Sequence, residues 1–207
     1  MPGTIGDDIR DVFQEVGIKI TRTVDTVTTT EYVMVKTNSQ TTKPFVREFF
    51  LEVQFPYDTV IDVGDIVKMV DVGATYHQIM NMTPEAIENA SFRKSAIMYK
   101  CNVTEGKLLR MSGERDNTSY LKSPNFVLIK DKCFALMTEP VFYKELDTES
   151  EIGYVTNQAS EVYIPKSYGA EIEDRFEPHS GEFYIIQNIL TGRYPGSDVL
   201  VVSADTR

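Results

Sequence analysis

Apolar and polar residues alternate along most of the chain, and this alternation predicts a protein built mainly from β-strands. The clearest strand is 45–55, where Phe49, Leu51, Val53 and Phe55 share one face and the other face is mixed. Similar short runs predict further strands at 18–24, 26–35, 63–70, 76–82, 95–103, 125–129, 133–137, 141–146, 162–165, 182–191 and 198–203. Short strands separated by turns at regular spacing favour a β-barrel or a sandwich of antiparallel strands.

A different period marks the N-terminus, where apolar residues recur at helical spacing and predict an amphipathic helix over 4–17. Thr4 is placed to cap this helix, and Gly17 is placed to end it in the left-handed conformation. A Thr-Pro start with an acid in the first turn predicts one more helical turn at 83–88. The apolar stripe of the first helix consists of Ile5, Ile9, Val12, Phe13 and Val16.

The composition agrees with the strand pattern. Val, Ile and Thr number 21, 16 and 20, against 9 Leu and 8 Ala, and 22 residues are Tyr or Phe. Branching at Cβ suits a pleated sheet, whereas the strong helix formers are scarce. We therefore expect a mainly β protein with one N-terminal amphipathic helix.

The order of the predicted elements suggests how the chain is divided. We expect 1–17 to form the N-terminal helix, 18–138 a barrel-like core with an inserted hairpin, and 139–207 acidic loops and closing strands that continue the same domain. Within the last part, 147–151 and 167–181 are the least apolar stretches and are predicted to be exposed loops. No internal repeat is convincing, because a faint echo between 64–81 and 181–189 spans too few residues.

The charge is both large and unevenly distributed. A net charge of −10 disfavours a free-standing nucleic-acid-binding protein, because phosphate contacts need clustered Lys and Arg. Residues 93–115 carry six bases and two acids, whereas 144–182 carry ten acids and three bases. These stretches are either two solvated surfaces or a plus-to-minus contact between copies in an oligomer. The candidate subunit-interface residues are Arg93, Lys94, Arg110, Arg115, Glu171, Glu173 and Asp174.

Candidate catalytic and metal-ligating residues are few. We expect His77 and His179 at the surface, since neither lies in a recognisable motif. Cys101 and Cys133 lack metal-ligand spacing and are predicted to be two buried thiols. With no nucleotide-binding or zinc-protease motif in the sequence, we expect no enzyme activity, cofactor or metal. No apolar run has the length of a membrane span, and the first residues do not resemble a secretory signal, so we expect an intracellular chain without membrane association.

Three segments resemble the head-closure, or neck, proteins of tailed bacteriophages. They are Val-Gly-Asp-Ile-Val at 63–67, Tyr-His-Gln-Ile-Met-Asn at 76–81 and Ile-Met-Tyr-Lys-Cys-Asn at 97–102. Two C-terminal segments, 183–189 and 195–202, are similar to the closing strands of the same proteins. Together the resemblance covers about half of the chain, in two pieces, and the polar region 139–181 has no counterpart in it.

The resemblance implies a structural role. It implies a homo-oligomeric ring in the virion neck, assembled in the host cytoplasm, that closes the DNA-filled head and docks the tail. The partners would be copies of the chain itself, the portal or adaptor, and tail proteins, with double-stranded DNA passing through without specific binding. A stopper and a tail-terminator or tail-completion ring are both compatible with it. Independently of the resemblance, the 22 aromatic residues keep open a ligand- or carbohydrate-binding β-sandwich, and an uncharacterised enzyme would need one of the two histidines in a pocket.

Overall fold

The chain folds into two closed six-stranded antiparallel β-barrels that follow one another in sequence. The computed structural model describes residues 5–24, 27–36, 50–71, 73–87, 90–112, 125–138 and 160–205. The prediction of a mainly β, barrel-type protein with an N-terminal helix is confirmed.

The first barrel follows helix α1 (Ile5–Val16). It consists of β1 (Ile18–Val24), β2 (Val27–Lys36), β3 (Phe50–Pro56), β4 (Ile66–Met69), β5 (Thr75–Ile87) and β6 (Ala90–Lys100). The second barrel consists of β7 (Val103–Ser112), β8 (Asn125–Thr138), β9 (Ser160–Pro165), β10 (Arg175–Glu177), β11 (Tyr184–Leu190) and β12 (Ser197–Ala204), with a short 3₁₀ helix at Lys166–Tyr168. The boundary between the barrels therefore falls at 101–102, whereas the sequence pattern suggested one core over 18–138. Strands on both sides of this boundary alternate in the same way, so the pattern does not reveal which strands close on each other.

Each barrel encloses its own apolar core. Ile20, Val53, Phe55, Ile79 and Met98 are among the buried residues of the first core. The buried residues of the second core include Leu108, Val162, Phe176, Leu200 and Val202. The inward positions alternate along the strands as the sequence predicts, and in β3 Val53 and Phe55 face the core as expected. The predicted strand residues 45–49 and 141–146 lie outside the described residues.

Helix α1 packs on β2, β3 and β6 of the first barrel mainly through Phe13, which is 1 % exposed. Val12 and Val16, which the helical stripe predicted to be buried, are 46 % and 68 % exposed. The helix ends before Gly17 as predicted, but Gly17 is not in the left-handed conformation. A Cβ at this position would lie 2.3 Å from the carbonyl oxygen of Phe13, so glycine is needed here for close approach.

One local prediction is wrong, and another is wrong in part. Where a helical turn is predicted at 83–88, residues 83–87 continue β5, which pairs with β6 through Ile87. Pro84 is tolerated there because β4 pairs with β5 only as far as Gln78, so Pro84 has a single pairing neighbour. The region 167–181, predicted to be an exposed loop, contains β10, which closes the second barrel and buries Phe176.

The two barrels repeat one strand order. Numbered from its own first strand, each barrel has the order 1-2-3-6-5-4. The fifth strand carries a β-bulge at the same place in both barrels, between Ile79 and Asn81 in β5 and between Ile186 and Asn188 in β11. The chain is therefore a structural duplication, which the sequence pattern did not establish.

The same turn precedes the fourth strand of each barrel. In the first barrel, the Asp62 N–H donates to the carboxylate of Asp65 at 2.8 Å, and the Asp65 N–H returns a bond to the Asp62 carbonyl oxygen at 3.2 Å. Glu171 and Asp174 form the same two bonds, at 2.8 and 3.2 Å, in the second barrel. These aspartates therefore have a structural role that is common to both barrels.

Candidate functional site

The two barrels meet through a buried aromatic and aliphatic cluster, which we call the inter-barrel cluster. Its buried residues from the first barrel and the linker are Met80, Tyr99 and Cys101, and those from the second barrel are Leu136, Tyr163 and Val199. The Tyr99 and Tyr163 rings pack edge to face with their centroids 5.7 Å apart. Such packing holds the barrels together by area burial and by ring electrostatics.

A buried polar bridge crosses the inter-barrel cluster. The side chain of Gln78 is fully buried, and its amide donates to the Gly196 carbonyl oxygen at 3.1 Å and to Ser197 Oγ at 2.9 Å. The hydroxyl of Tyr99 donates to the Gln78 side-chain oxygen. Burial raises the pKa of Tyr99 well above its ordinary value, which keeps this hydroxyl protonated as a donor. The bridge has matched donors and acceptors, so it favours one relative placement of the barrels.

The backbone approaches closely beside this bridge. The Gly196 N–H donates to the carbonyl oxygen of Met80 at 3.2 Å. A Cβ on Gly196 would lie 2.3 Å from a methyl group of Val63 and 2.5 Å from the backbone nitrogen of Gly64. Only glycine at 196 allows the loop before β12 to pack against the loop before β4.

The residues that carry the family resemblance come together at this joint. Gly64, Gln78 and Tyr99 belong to the three N-terminal segments, and Gly196 belongs to the C-terminal segment 195–202. Asn102, which ends the third segment, bridges to β8: its side-chain amide donates to the Met137 carbonyl oxygen at 2.7 Å and accepts from the Met137 N–H at 2.8 Å. Residues of these segments thus build the contact between the barrels.

The two histidines differ in burial, whereas both cysteines are buried. His77 is 2 % exposed, which overturns its predicted surface position, because it shares the inward face of β5 with Ile79. Burial and the positive charge of Lys100 lower its pKa to about 4, and a hydrogen bond to the backbone of Thr75 raises the pKa by less than these two effects lower it. His179 is exposed as expected. Cys101 and Cys133 are buried free thiols as predicted, and burial raises both pKa values, to about 12 for Cys133.

The basic and acidic interface candidates pair within one chain. Arg110 donates to both carboxylate oxygens of Asp174 at 2.9 Å and lies 2.7 Å from a carboxylate oxygen of Glu171. Asp174 is 2 % exposed, so its carboxylate is buried in the turn before β10. In the first barrel, Arg22 makes the corresponding approach to Asp65 at 2.6 Å. These bonds hold Arg110, Glu171 and Asp174 together within one barrel, where the three side chains carry one positive and two negative charges.

The remaining candidates are dispersed. Arg93 pairs with Glu85 at 2.5 Å, and Lys94 donates to the carbonyl oxygen of Thr59 at 3.3 Å, both on the first barrel. Glu173 is exposed in the turn before β10. Arg115 lies outside the described residues. The structure does not gather these residues into a single patch.

An apolar surface that the sequence reasoning missed lies at the start of β8. Val127, Leu128 and Ile129 are 49 %, 49 % and 40 % exposed. This part of β8 pairs with β7, whereas β9 pairs only with Leu136–Thr138. Four consecutive apolar residues from Phe126, immediately followed by Lys-Asp-Lys, are the sequence signal that could have identified this surface, because a strand with one buried face alternates.

Comparisons with known proteins add little. No family model and no curated protein matches the chain. Two solved structures of MrkH, a c-di-GMP-dependent transcription regulatory factor, match with TM-scores of 0.24 and 0.26 and 10 % and 9 % identity. Both matches cover 98 % of this chain, and they cover 84 % and 87 % of MrkH. Similarity at this level carries no argument about function.

No group of three or more His, Cys, Asp or Glu in the described ranges is placed to hold a metal ion. The helices in the same ranges include none that is both long and apolar enough to cross a membrane.

Proposed function

We propose that this chain is a structural subunit of the neck of a tailed bacteriophage, where copies form a ring that closes the DNA-filled head and docks the tail. The observation that carries the proposal is the position of the motif residues. Gly64, Gln78, Tyr99 and Gly196 join two barrels into one block through buried contacts. A block of this kind, with apolar surface exposed on β8, is suited to assembly with other subunits.

Charge is also consistent with a ring around DNA. The net charge of −10 disfavours strong binding to phosphates, so a genome can pass a ring of such subunits. Among the basic candidates that the structure describes, Arg93 and Arg110 are paired with acids of the same chain and offer little free positive charge to DNA. The contacts that matter in this account are those between proteins.

The distribution of aromatic residues favours assembly over carbohydrate binding. Every Tyr and Phe that the structure describes is at least partly buried. Several of them, including Phe50, Tyr76, Phe134 and Tyr194, pack around the inter-barrel cluster. A carbohydrate-binding face needs exposed rings on which sugars stack.

In vitro complementation tests this function. Particles are prepared from phage that lack this chain, and the purified chain is added together with tails. Without the added chain, we expect DNA-filled heads that leak and carry no tails. With the purified chain, we expect heads and tails to join and infectivity to be restored. Sealed heads accompanied by tails of abnormal length would instead indicate a tail-terminator ring. Normal infectious particles without the chain would overturn the proposal.

A further inference from the structure

We propose that the exposed apolar start of β8 binds the outer face of helix α1 from a second copy of the chain. This inference rests on the proposed function, because it names the contact through which neighbouring subunits of the ring would meet. It is separate from the predicted contact through Arg110, Glu171 and Asp174, which pair with one another within one chain.

The β8 surface has apolar area and, among the residues that the structure describes, a strand edge with no partner strand beyond β7. Directly paired residues of β7 and β8 lie on the same face, which places Met111 beside Phe126 and Leu109 beside Leu128. Met111 is 39 % exposed and Leu128 is 49 % exposed. A contiguous apolar patch beside an open edge is a binding surface, and left uncovered it is an aggregation hazard.

The outer face of α1 is the complementary surface. Val12 and Val16 are one turn apart and are exposed, although Phe13 of the same helix packs on the first barrel. Asp8, Asp11 and Glu15 are exposed around them. The result is a short apolar strip bordered by three carboxylates.

Charge selects between the possible partners of β8. Its apolar residues run directly into exposed Lys130 and Lys132, with Asp131 between them. A second β8 strand would therefore bring lysines against lysines or leave them unmatched. The acidic border of α1 offers the opposite sign beside a matching apolar strip. We therefore assign α1, and not another β8, as the occupant.

The location of the two surfaces determines the kind of assembly. Helix α1 packs on β2, β3 and β6 of the first barrel, whereas β8 belongs to the second barrel. A contact between different patches is heterologous, so each subunit retains one free α1 face and one free β8 surface. Such contacts continue from copy to copy and form a ring where the rotation between copies closes.

Directed crosslinking tests the contact. The two single variants Val12→Cys and Leu128→Cys are mixed under mild oxidation, while the native Cys101 and Cys133 are buried. We expect covalent dimers in the mixture, and a ladder of larger species when both substitutions are in one chain. Val60→Cys, at a 60 % exposed position of the first barrel, replaces Val12→Cys in the matched control and should give no dimer. Rapid dimerisation of Leu128→Cys alone would mean that β8 pairs with itself and would overturn the proposal.

Sedimentation velocity of further variants adds a quantitative test. Leu128→Asp should weaken self-association by at least about tenfold, because it removes a leucine that the contact would bury and adds a charge that Asp11 repels. Lys130→Glu should weaken it about threefold, more in low salt than in high salt, and adding Asp11→Lys should restore it. Unchanged assembly in all these variants, with wild type oligomeric, would overturn this contact and leave the ring function standing. A wild-type chain that is monomeric at every concentration and absent from particles would overturn both.

Discussion

The polar bridge of Gln78 offers a direct test of how the two barrels are joined. Replacing Gln78 with Ala removes the bonds to Ser197 and Gly196 and leaves the Tyr99 hydroxyl without its acceptor. Each of the three partner groups left unpaired costs about 1 kcal/mol. Because the side chain is fully buried, a cavity also forms. We expect a loss of about 4 kcal/mol in the free energy of unfolding.

Urea unfolding followed by circular dichroism and tyrosine fluorescence measures this loss, since the chain has no Trp. Gln187→Ala is the matched control, because Gln187 donates to Ser203 Oγ at 2.7 Å at an exposed site. We expect this control to lose no more than about 0.5 kcal/mol. Gln78→Ala should also separate the unfolding into two transitions, as each barrel retains its own core.

A second substitution tests whether the bridge acts as a unit. Tyr99→Phe should cost about 1.5 kcal/mol, and the double variant should cost less than the sum of the two single variants, because both remove the same bond. Equal losses for Gln78→Ala and Gln187→Ala, with a single transition in both, would refute the reasoning.

Three further results are expected. Gly196→Ala should cost about 3 kcal/mol, since its Cβ would overlap the loop before β4, whereas Gly192→Ala, with nothing within 4 Å of its Cβ, should be neutral in thermal unfolding. The pKa of His77 is about 4 in the folded chain against an ordinary 6.5, so the neutral form stabilises the fold fully above pH 6.5, and this stability is lost as the pH falls toward 4. Between pH 6.5 and pH 4 the free energy of unfolding of wild type should fall by about 3 kcal/mol more than that of His77→Leu. Parallel profiles of unfolding free energy against pH for the two proteins would contradict this. Arg110→Met should lower the free energy of unfolding by about 2 kcal/mol, because it leaves the Asp174 carboxylate without its cation. If the variant instead loses assembly at an unchanged melting temperature, Arg110 acts in a contact between copies.

Strand positions could be read from the sequence because alternation reports which residues face a core. Val53 and Phe55 were assigned correctly for this reason. The same pattern cannot report which strands close on one another, so the two barrels were read as one domain. The polar residues at β10 predict an exposed loop, but Asp174 and Glu177 are buried there. Their burial is tolerated because backbone N–H groups of the folded chain donate hydrogen bonds to both carboxylates.

The interface candidates show a further limit of sequence reasoning. Opposite charges on Arg110 and Asp174 were identified correctly as complementary, but their separation of 64 residues gives no indication that they meet within one chain. The apolar run that begins at Phe126 predicts an ordinary strand, and its exposure cannot be predicted because it depends on which neighbours cover the strand. The sequence thus predicted the chemistry of the contacts better than their location.

Immunogold electron microscopy of purified tailed particles is the most direct test of the central claim. An antibody against the chain is applied to intact particles and to heads separated from tails. The account predicts label at the head–tail junction and on the exposed vertex of separated heads. Tailed particles that are infectious and contain none of the chain would contradict it.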